Sequence, residues 1–503
     1  MPGTVRPDPT VPPRGACRKG RPGALTPARR RRYVPGAPAP PRGAAPHPSA
    51  GRSRLGKLIV LMVTAFVDMV GLLMVIPLIP FYAMKLGAGG IVVGILVSAF
   101  SLAQLLSAPL WGRVSDRYGR RPALLVGLGA SALAYVTFAF AQSIWLLLLS
   151  RLIQGAGGGT TGVVQAYVAD ATEPKDRAKS LGWLSAATNL GVTIGPLLGS
   201  ASLALSVHAP GLLAAGLCVA NMGFAWVYLR ETRVMAAPGA ASARVKPRTV
   251  VARVITHPGE PAPRMIWIYA IGMGAFSGFT ALLALFLNKR FGITAQTIGW
   301  AYAWNGGISV LVRAFVLGKA VDRFGEARLS RLGQILLTAG LALMPMTWRF
   351  GGSFALPFQV HVKALAVANG WSFLLPSFGA GSTTIPLKFV ALAVVMALIP
   401  LGTAFTFPCV TATLSRIIKP TERGLYMGVQ QSFGGAARVI GPIWAGWAFD
   451  ALGTPYPFWT SAGLVFGTIF LGLGMERFTR DAPETPGAES IPAKAGDPVP
   501  AAD

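Results

Sequence analysis

Acidic residues are scarce in this sequence. It contains 18 Asp and Glu against 46 Lys and Arg among 503 residues, and only 13% of all residues are charged. Soluble domains contain about 25% charged residues. Together with a hydrophobic content of 52%, the shortage of charge argues against a soluble domain and indicates a protein that crosses a membrane several times.

Cysteine and histidine are equally rare. The three cysteines, Cys17, Cys218 and Cys409, and the four histidines are scattered, so neither a disulfide framework nor a zinc site is predicted. The sequence also lacks the GxxxxGK(S/T) loop that cradles nucleotide phosphates and a nucleophile elbow. We therefore expect no enzyme activity, no cofactor, no metal and no direct drive by ATP.

The shortage of acids leaves a net charge of +28, which could suggest a nucleic-acid partner. The distribution of the basic residues indicates another cause. Twelve precede Lys57, and the predicted topology places 24 more in loops and the C-terminal tail on the same side of the membrane, against six on the opposite side. Short loops rich in Lys and Arg stay in the cytoplasm, so we expect cytoplasmic termini and no nucleic-acid binding.

Long apolar runs dominate the rest of the chain. Each has about 20 residues or more, which is enough for a helix to cross the hydrocarbon core, and helical structure satisfies the backbone polar groups inside a bilayer. We predict an all-α membrane protein with twelve transmembrane helices in two pseudo-symmetric six-helix bundles. The predicted spans are 58–83, 89–111, 122–141, 143–168, 179–201, 209–229, 265–288, 296–317, 329–348, 387–413, 424–449 and 457–475.

These spans divide the chain into domains. Residues 1–56 are predicted to form a disordered basic tail that lacks the apolar run of a signal peptide; contact with anionic lipid headgroups is an alternative to a solvated tail. The N-terminal bundle would cover 57–231, a cytoplasmic linker 232–262, the C-terminal bundle 263–476 and a second disordered tail 477–503.

An insert, 349–386, separates the ninth and tenth predicted spans on the outside face. Alternating residues in Phe358–Val362 are followed by Asn369-Gly370, a dipeptide that favours a hairpin turn. A β-hairpin is therefore one prediction for this insert, and an irregular loop and a re-entrant helix are the alternatives.

The most polar short run among the spans is Gly112–Pro122, which contains four arginines. Its pattern G-x-x-x-D-R-x-G returns at Gly318–Gly325, 206 residues later, whereas the Gly-Pro pairs that begin at Gly195 and Gly441 are 246 residues apart. The repeats predict a duplicated architecture, and the insert accounts for the difference in spacing. We predict that Gly112–Pro122 is a tight turn between two membrane helices.

Five stretches carry a resemblance to a known family: Gly112–Arg121, Arg151–Gly155, Gly191–Gly199, Tyr167–Thr172, and Asp68 followed by Pro77. They resemble motifs of the major facilitator superfamily, and within it those of the twelve-helix drug–proton antiporters, which include the tetracycline antiporters. The resemblance covers roughly 57–478 without the insert.

The resemblance implies a secondary active transporter of the cytoplasmic (inner) membrane that works by alternating access, as a monomer in the lipid bilayer. Proton-coupled efflux of small amphipathic or drug-like compounds is the first expectation. A proton symporter or uniporter for a small metabolite is the alternative, and a non-transporting sensor or scaffold belongs to another class. The further acids of tetracycline antiporters are missing from 122–141 and 329–348, so the resemblance does not extend to tetracycline as substrate.

Two charged residues are candidates for proton coupling. Asp68 is the only acid within the predicted spans, and Arg151 lies at a comparable depth in the fourth span. A charge inside the hydrocarbon core needs a partner, water or, for an acid, a proton. We predict that both residues take part in proton coupling; purely structural hydrogen bonds between helices are the alternative for each.

Polar and aromatic residues of the spans are candidates for a substrate cavity. Core or lipid-facing packing is the alternative for the aromatics. Arg313 and Arg438 are predicted to lie towards the cytoplasmic side, where they either snorkel or contact a substrate anion. The cavity candidates are Gln154, Asn189, Phe276, Trp304, Asn305, Phe405 and Gln430.

The resemblance also implies a conformational latch in the two polar loops. Asp116 is predicted to lie at the start of the third helix and to pair with arginines of its own loop and with the second half near helix eleven. The latch residues are Gly112, Asp116, Arg117, Gly119, Arg120, Asp170, Asp322 and Arg323. A helix-bend motif, for which a small-residue packing seam is the alternative, comprises Gly191, Gly195, Pro196, Gly199, Gly441 and Pro442.

Overall fold

Helices make up nearly all of the described chain. The computed structural model describes residues 49–158, 160–172, 177–229, 247–349, 353–355, 384–419 and 421–475. The helices are α1 Ser49–Val75, α2 Ile79–Lys85, α3 Gly90–Tyr118, α4 Arg120–Ala139, α5 Ile144–Gly157, α6 Thr160–Ala171, α7 Arg177–Ser202, α8 Ala209–Tyr228, α9 Pro247–Thr256, α10 Pro261–Phe291, α11 Ile298–Leu311, α12 Leu317–Phe324, α13 Glu326–Leu343, α14 Leu387–Ile417, α15 Arg423–Ala451 and α16 Tyr456–Leu471. A 3-10 turn joins α1 to α2, and a π-helical turn, Val312–Val316, joins α11 to α12.

Eight of the described helical segments are long and apolar enough to cross a membrane. This result confirms the prediction of an all-α membrane protein. A further apolar helix, α16, is shorter. The eight segments are Leu58–Lys85, Gly90–Tyr118, Arg120–Ala139, Ser180–Ser202, Ala209–Tyr228, Pro261–Phe291, Glu326–Arg349 and Leu387–Ile417.

The predicted span 143–168 is two helices rather than one. α5 ends at Gly157, and the N–H of Gly158 donates to the carbonyl oxygen of Gln154 at 2.8 Å. Four glycines fall between 155 and 159, and each costs about 1 kcal/mol relative to alanine inside a helix. The same glycines allow close packing, because a Cβ on Gly155 would lie 2.3 Å from the carbonyl oxygen of Phe100 in α3.

The polar motif is mostly helical, so the tight turn predicted over Gly112–Pro122 is confined to one residue of it. α3 continues to Tyr118 and α4 begins at Arg120, so Gly119 alone, with φ 106° and ψ 160°, reverses the chain. Asp116 therefore lies in the last turn of α3 and not at the start of the next helix. Gly325, with φ 76°, repeats this reversal between α12 and α13. Glycine adopts positive φ without the steric cost of a Cβ, so one residue suffices at each place.

Two boundaries differ from the predicted domains. α1 begins at Ser49, inside the predicted tail 1–56, because a helix can continue beyond its apolar span through its own hydrogen bonds. α9 lies inside the predicted linker 232–262. Its Val250 and Val254 are four residues apart on one face and are buried in a cluster with residues of α10, α14 and α15.

The insert begins and ends with an antiparallel strand pair. β1, Ser353–Ala355, pairs with β2, Thr384–Pro386, and Phe354 faces Ile385 in the register. The residues on which the hairpin prediction was based, Phe358–Val362 and Asn369-Gly370, lie outside the described residues.

Helices α3 and α15 run in opposite directions and pack closely. We call the side of the protein that carries Gly119 and Gly325 the motif side, and the opposite side, which carries β1 and β2, the insert side. In the half nearest the insert side, a Cβ on Gly94 would lie 2.2 Å from the carbonyl oxygen of Pro442, and one on Gly446 would lie 2.3 Å from that of Gly90. The helices therefore meet backbone to backbone at the insert side.

Candidate functional site

A cavity of about 330 Å³ lies between α1, α3, α5, α10 and α15. Its volume is within the range of small-molecule sites. The wall is mostly apolar, and its polar groups are two arginines and three hydroxyls. The lining residues are Leu73, Ile76, Ile79, Val97, Phe100, Ser101, Arg151, Met273, Phe276, Ser277, Thr280 and Arg438. Of the predicted site residues, it contains Arg151 and Phe276.

Arg151 is almost fully buried, with 1% of its surface exposed. Its Nε donates to Ser150 Oγ at 3.4 Å, and its guanidinium carbon lies 5.6 Å from the centre of the Phe138 ring. The Nη2 atom is buried and has no hydrogen-bond partner in the described structure. Because a guanidinium remains charged, this side chain, which lines the cavity, has unused hydrogen-bonding capacity.

Arg438 reaches the same cavity from α15. It is the sixteenth of the 29 residues of this helix, so it lies near mid-helix and not, as predicted from the sequence, towards the cytoplasmic end of its span. Ser277 Oγ of α10 donates to the carbonyl oxygen of Arg438 at 3.4 Å. Arg151 and Arg438 thus face one space from helices that are distant in the sequence.

A second, smaller cavity of about 20 Å³ contains Asp68. Gln154 also lines it and donates from Nε2 to Tyr135 Oη at 2.7 Å. The volume is sufficient for about one water molecule. Within the described part of the chain, no hydrogen bond or ion pair reaches the Asp68 carboxylate. Phe100 lines both cavities and is their common wall.

Asn189 lies beside a different arginine. Its Oδ1 is 3.5 Å from Arg313 Nη1, and its Nδ2 donates to the carbonyl oxygen of Ser185 at 2.7 Å. Arg313 belongs to the π-helical turn Val312–Val316, a geometry that is often found at functional sites. The long contact joins α7 to the junction of α11 and α12.

Like Asn189, four more predicted cavity residues line neither of these two cavities. Trp304 is 48% exposed and donates from Nε1 to the carbonyl oxygen of Ala393 at 2.9 Å. Asn305 is half-buried. Phe405 packs in a buried apolar cluster with residues of α13 and α14. Gln430 is fully buried and accepts from Thr411 Oγ1 at 3.4 Å, so it joins α14 to α15.

The predicted latch residues lie at the motif side. Asp116 Oδ1 accepts from Arg120 Nη1 at 2.8 Å, so the pairing with its own loop is present. The second loop differs, because its Glu326 pairs with Arg416 of α14 at 2.9 Å. Gly112 lies in α3 and Asp322 in α12. The side chains of Arg117 and Arg323 lie near the rings of the aromatic residues that follow them; the side chain of Asp170 is outside the described residues.

The glycines of the predicted helix-bend motif form close helix contacts. A Cβ on Gly191, Gly195 or Gly199 of α7 would lie between 2.1 and 2.8 Å from backbone oxygens of α1. A Cβ on Gly441 would lie 2.2 Å from the carbonyl oxygen of Gly274 in α10. α7 and α15 continue through Pro196 and Pro442 as single helices. The contacts favour the packing-seam interpretation.

The sequence predictions omit several residues that the structure places at the cavities or between helices. Tyr135 and Ser131 line the Asp68 cavity, and their spacing of four residues within an apolar span was a usable signal for a polar helix face. Asp450 was also missed, although an acid at the end of an apolar span is visible in the sequence. Its contacts with α3 join regions 360 residues apart, and sequence spacing gives no sign of that.

Known proteins are similar to this chain in sequence. Residues 61–387 and 361–500 match the family model described as Major Facilitator Superfamily. The chain is 26% identical to the class B tetracycline resistance protein of Escherichia coli, over 77% of this chain and 90% of that protein. It is 26% identical to multidrug resistance protein 1 of Bacillus subtilis (strain 168), over 83% and 94% respectively.

Solved structures share the fold at low sequence identity. The human organic anion transporter MFSD10 superposes with a TM-score of 0.56 at 22% identity, over 83% of this chain and 99% of that one. The nucleoside transporter NupG superposes with a TM-score of 0.64 at 15% identity, also over 83% and 99%.

Proposed function

Because the chain belongs to the major facilitator superfamily, we propose that it is a secondary active transporter that exports small amphipathic compounds in exchange for protons. The proposal includes twelve membrane spans in two six-helix bundles, a location in the cytoplasmic membrane with both termini inside, and a monomeric protein. The names of the relatives, which include tetracycline and multidrug resistance proteins, support efflux.

One observation supports the proposed proton coupling. Asp68 lies in a cavity with room for about one water, and Phe100 is the one residue that lines both this cavity and the larger one. In this proposal Asp68 takes up a proton when its cavity is hydrated from one side and releases it on the other. The hydrogen-bonded pair of Gln154 and Tyr135 positions the water. Movement of Phe100 would link proton occupancy to substrate occupancy.

Alternating access requires that the two sides open in turn. The close contacts of α3 with α15 at the insert side support a state that is closed there. At the same side, Ser200 Oγ of α7 accepts the N–H of Gly299 at 2.9 Å, which joins α7 to α11. We propose that the cavity of this state communicates with the motif side, and that the loops at Gly119 and Gly325 close it in the opposite state.

The test is transport by the purified full chain in liposomes with an imposed proton gradient. A panel of fluorescent amphipathic compounds should be driven against their own gradients and should stop when a protonophore is added. Asp68→Asn should abolish gradient-driven movement while exchange of compound in both directions continues. Glu260→Gln also replaces a carboxylate by an amide, but it lies outside the spans, and this variant should transport as the unmodified chain does.

Other outcomes would replace the proposal. Movement of compound in the same direction as protons would indicate a symporter, and movement without dependence on the gradient would indicate a uniporter. A folded protein that moves no member of the panel would favour the sensor or scaffold. Unchanged proton coupling in Asp68→Asn would refute the role of this carboxylate.

A further inference from the structure

The larger cavity has the properties of an anion site. We infer that it binds an amphipathic organic anion whose acidic group lies between Arg151 and Arg438 and whose apolar body contacts Phe100, Met273 and Phe276. This inference rests on the proposed transport function and names its substrate class.

The charges of the spans are not balanced. Arg151, Arg313 and Arg438 are the basic residues that lie at least four residues from either end of a predicted span, whereas Asp68 is the one acid within the predicted spans. In the described structure no acidic side chain pairs with Arg151 or Arg438, and Asp68 lines the other cavity. Arg151 is almost fully buried and Arg438 is half-buried. An uncompensated buried charge is strongly destabilising, and a guanidinium group carries a positive charge. An anionic group in the cavity would compensate them.

The hydrogen-bonding groups of the cavity point to the same ligand class. Nη2 of Arg151 is buried and has no partner in the described structure. The hydroxyls of Ser277 and Thr280 donate to backbone carbonyl oxygens at 3.4 and 2.9 Å, and the two arginines are the charged donors among the lining residues. A cationic ligand would find two positive charges and no carboxylate on this wall.

The rest of the wall fits an apolar body. Leucine, isoleucine, valine, methionine and phenylalanine side chains surround the arginines, and a volume of about 330 Å³ limits the ligand to a small compound. Arg151 belongs to α5 and Arg438 to α15, so an anion held by both would join helices from the two halves of the sequence. Binding would therefore act on the relative position of the halves, which alternating access requires.

Three probes with one ring system isolate the effect of charge. Naphthoate, naphthalenemethanol and naphthylmethylammonium are an anion, a neutral alcohol and a cation of similar size. Binding to the full chain in phosphatidylcholine nanodiscs would be measured by calorimetry. We expect naphthoate to bind at least about tenfold more tightly than the other two, because charge-assisted hydrogen bonds to arginine favour the carboxylate. Equal affinities, or preference for the cation, would overturn the inference.

Variants then locate the site. Arg438→Gln should weaken naphthoate binding by about tenfold and leave naphthalenemethanol unaffected, while Arg438→Lys should retain part of the preference. Arg264→Gln, on α10 outside both cavities, is the matched control. An equal loss for both probes in Arg438→Gln would refute a charge-specific site. If Arg151→Gln fails to fold, the comparison of the two Arg438 variants still decides the question.

Two further measurements distinguish an anion site from a lipid headgroup site and test binding separately from transport. Addition of phosphatidylglycerol to the nanodiscs should not change naphthoate affinity; a clear loss would assign the arginines to lipid headgroups instead. In proteoliposomes, selective binding of naphthoate without proton-driven movement would leave the anion site intact and refute the proposed transport. Proton-driven movement of other compounds without selective naphthoate binding would support the proposed transport and refute the anion site.

Discussion

The carboxylate of Asp450 accepts the backbone N–H groups of Gly90 and Ile91, each at 2.8 Å. Gly90 is the first residue of α3, and Asp450 lies in the last turn of α15. The side chain satisfies two of the four N–H groups that a helix leaves unpaired at its start, and its charge faces the positive end of the α3 dipole. One helix thus caps another at the insert side.

Loss of this cap should loosen the insert side. We predict that Asp450→Ala speeds amide hydrogen exchange at residues 90–94, because removal of an N-cap acceptor costs about 1 kcal/mol. Asp450→Asn retains an acceptor oxygen and should have a smaller effect. Hydrogen exchange read by mass spectrometry in nanodiscs is the measurement. Exchange as slow as in the unmodified chain would show that the cap does not hold the two helices together.

The glycine contacts beside this cap give a second prediction. A Cβ on Gly94 would lie 2.2 Å from the carbonyl oxygen of Pro442, so Gly94→Ala forces α3 and α15 apart, whereas Gly216 of α8 has nothing within 4 Å of its added Cβ. We expect Gly94→Ala to lower the thermal midpoint and the transport rate. Gly216→Ala should be neutral or stabilise slightly, since alanine favours a helix by about 1 kcal/mol. Similar behaviour of the two variants would contradict close packing at Gly94.

Much of the fold was predictable because apolar length is a strong signal in a membrane protein. Each described helix except α9 overlaps a predicted span, and the repeated motif located the two reversals at Gly119 and Gly325. The errors have local causes. The glycines at 155–159 divide one span into α5 and α6, and a hydrophobic run does not reveal such a break. α9 was missed because its two buried valines form a pattern too short to stand out in a basic segment.

The candidate site was less predictable than the fold. Asp68, Arg151, Gln154 and Phe276 line the two cavities. Phe405 packs in a core cluster instead, because helix rotation decides whether an aromatic faces a cavity or a neighbour, and composition does not encode that rotation. Asp68 has no hydrogen-bond or ion-pair partner within the described residues, and the ring beside Arg151 belongs to α4. Whether a charge in the spans has a partner on another helix can be judged only in three dimensions.

A surface ion pair provides a pH prediction outside the spans. Arg253 Nε donates to Glu260 Oε2 at 2.6 Å, and this hydrogen bond holds the pKa of Glu260 below its usual range. A lowered pKa in the folded state means that the pair stabilises the docked α9 above the ordinary pKa of glutamate. The contribution is lost as the pH falls through the lowered value. Because the pair is exposed, the effect should be small and sensitive to salt.

The measurement is hydrogen exchange of α9, Pro247–Thr256, corrected for the intrinsic dependence of exchange on pH. Protection should fall on acidification in the unmodified chain. In Glu260→Gln the protection of the α9 amides should be lower at neutral pH and should change less on acidification. An identical response in both proteins would show that another group controls the docking of α9.

The position of Asp116 sharpens the prediction for the motif-side latch. Its side chain is 69% exposed and pairs with Arg120 at 2.8 Å across the reversal at Gly119. An acid in the last turn of α3 and a base in the first turn of α4 each face the unfavourable end of a helix dipole. The ion pair offsets these two unfavourable interactions. In a state closed at the motif side, Asp116 would be free to contact the second half near the start of α15. We therefore predict that Asp116→Ala slows transport without changing which compounds are carried, because substrate contacts lie in the cavity lined by Arg151 and Arg438. Transport rates across the compound panel would be compared with those of Glu260→Gln, and an altered range at a normal rate would count against the latch.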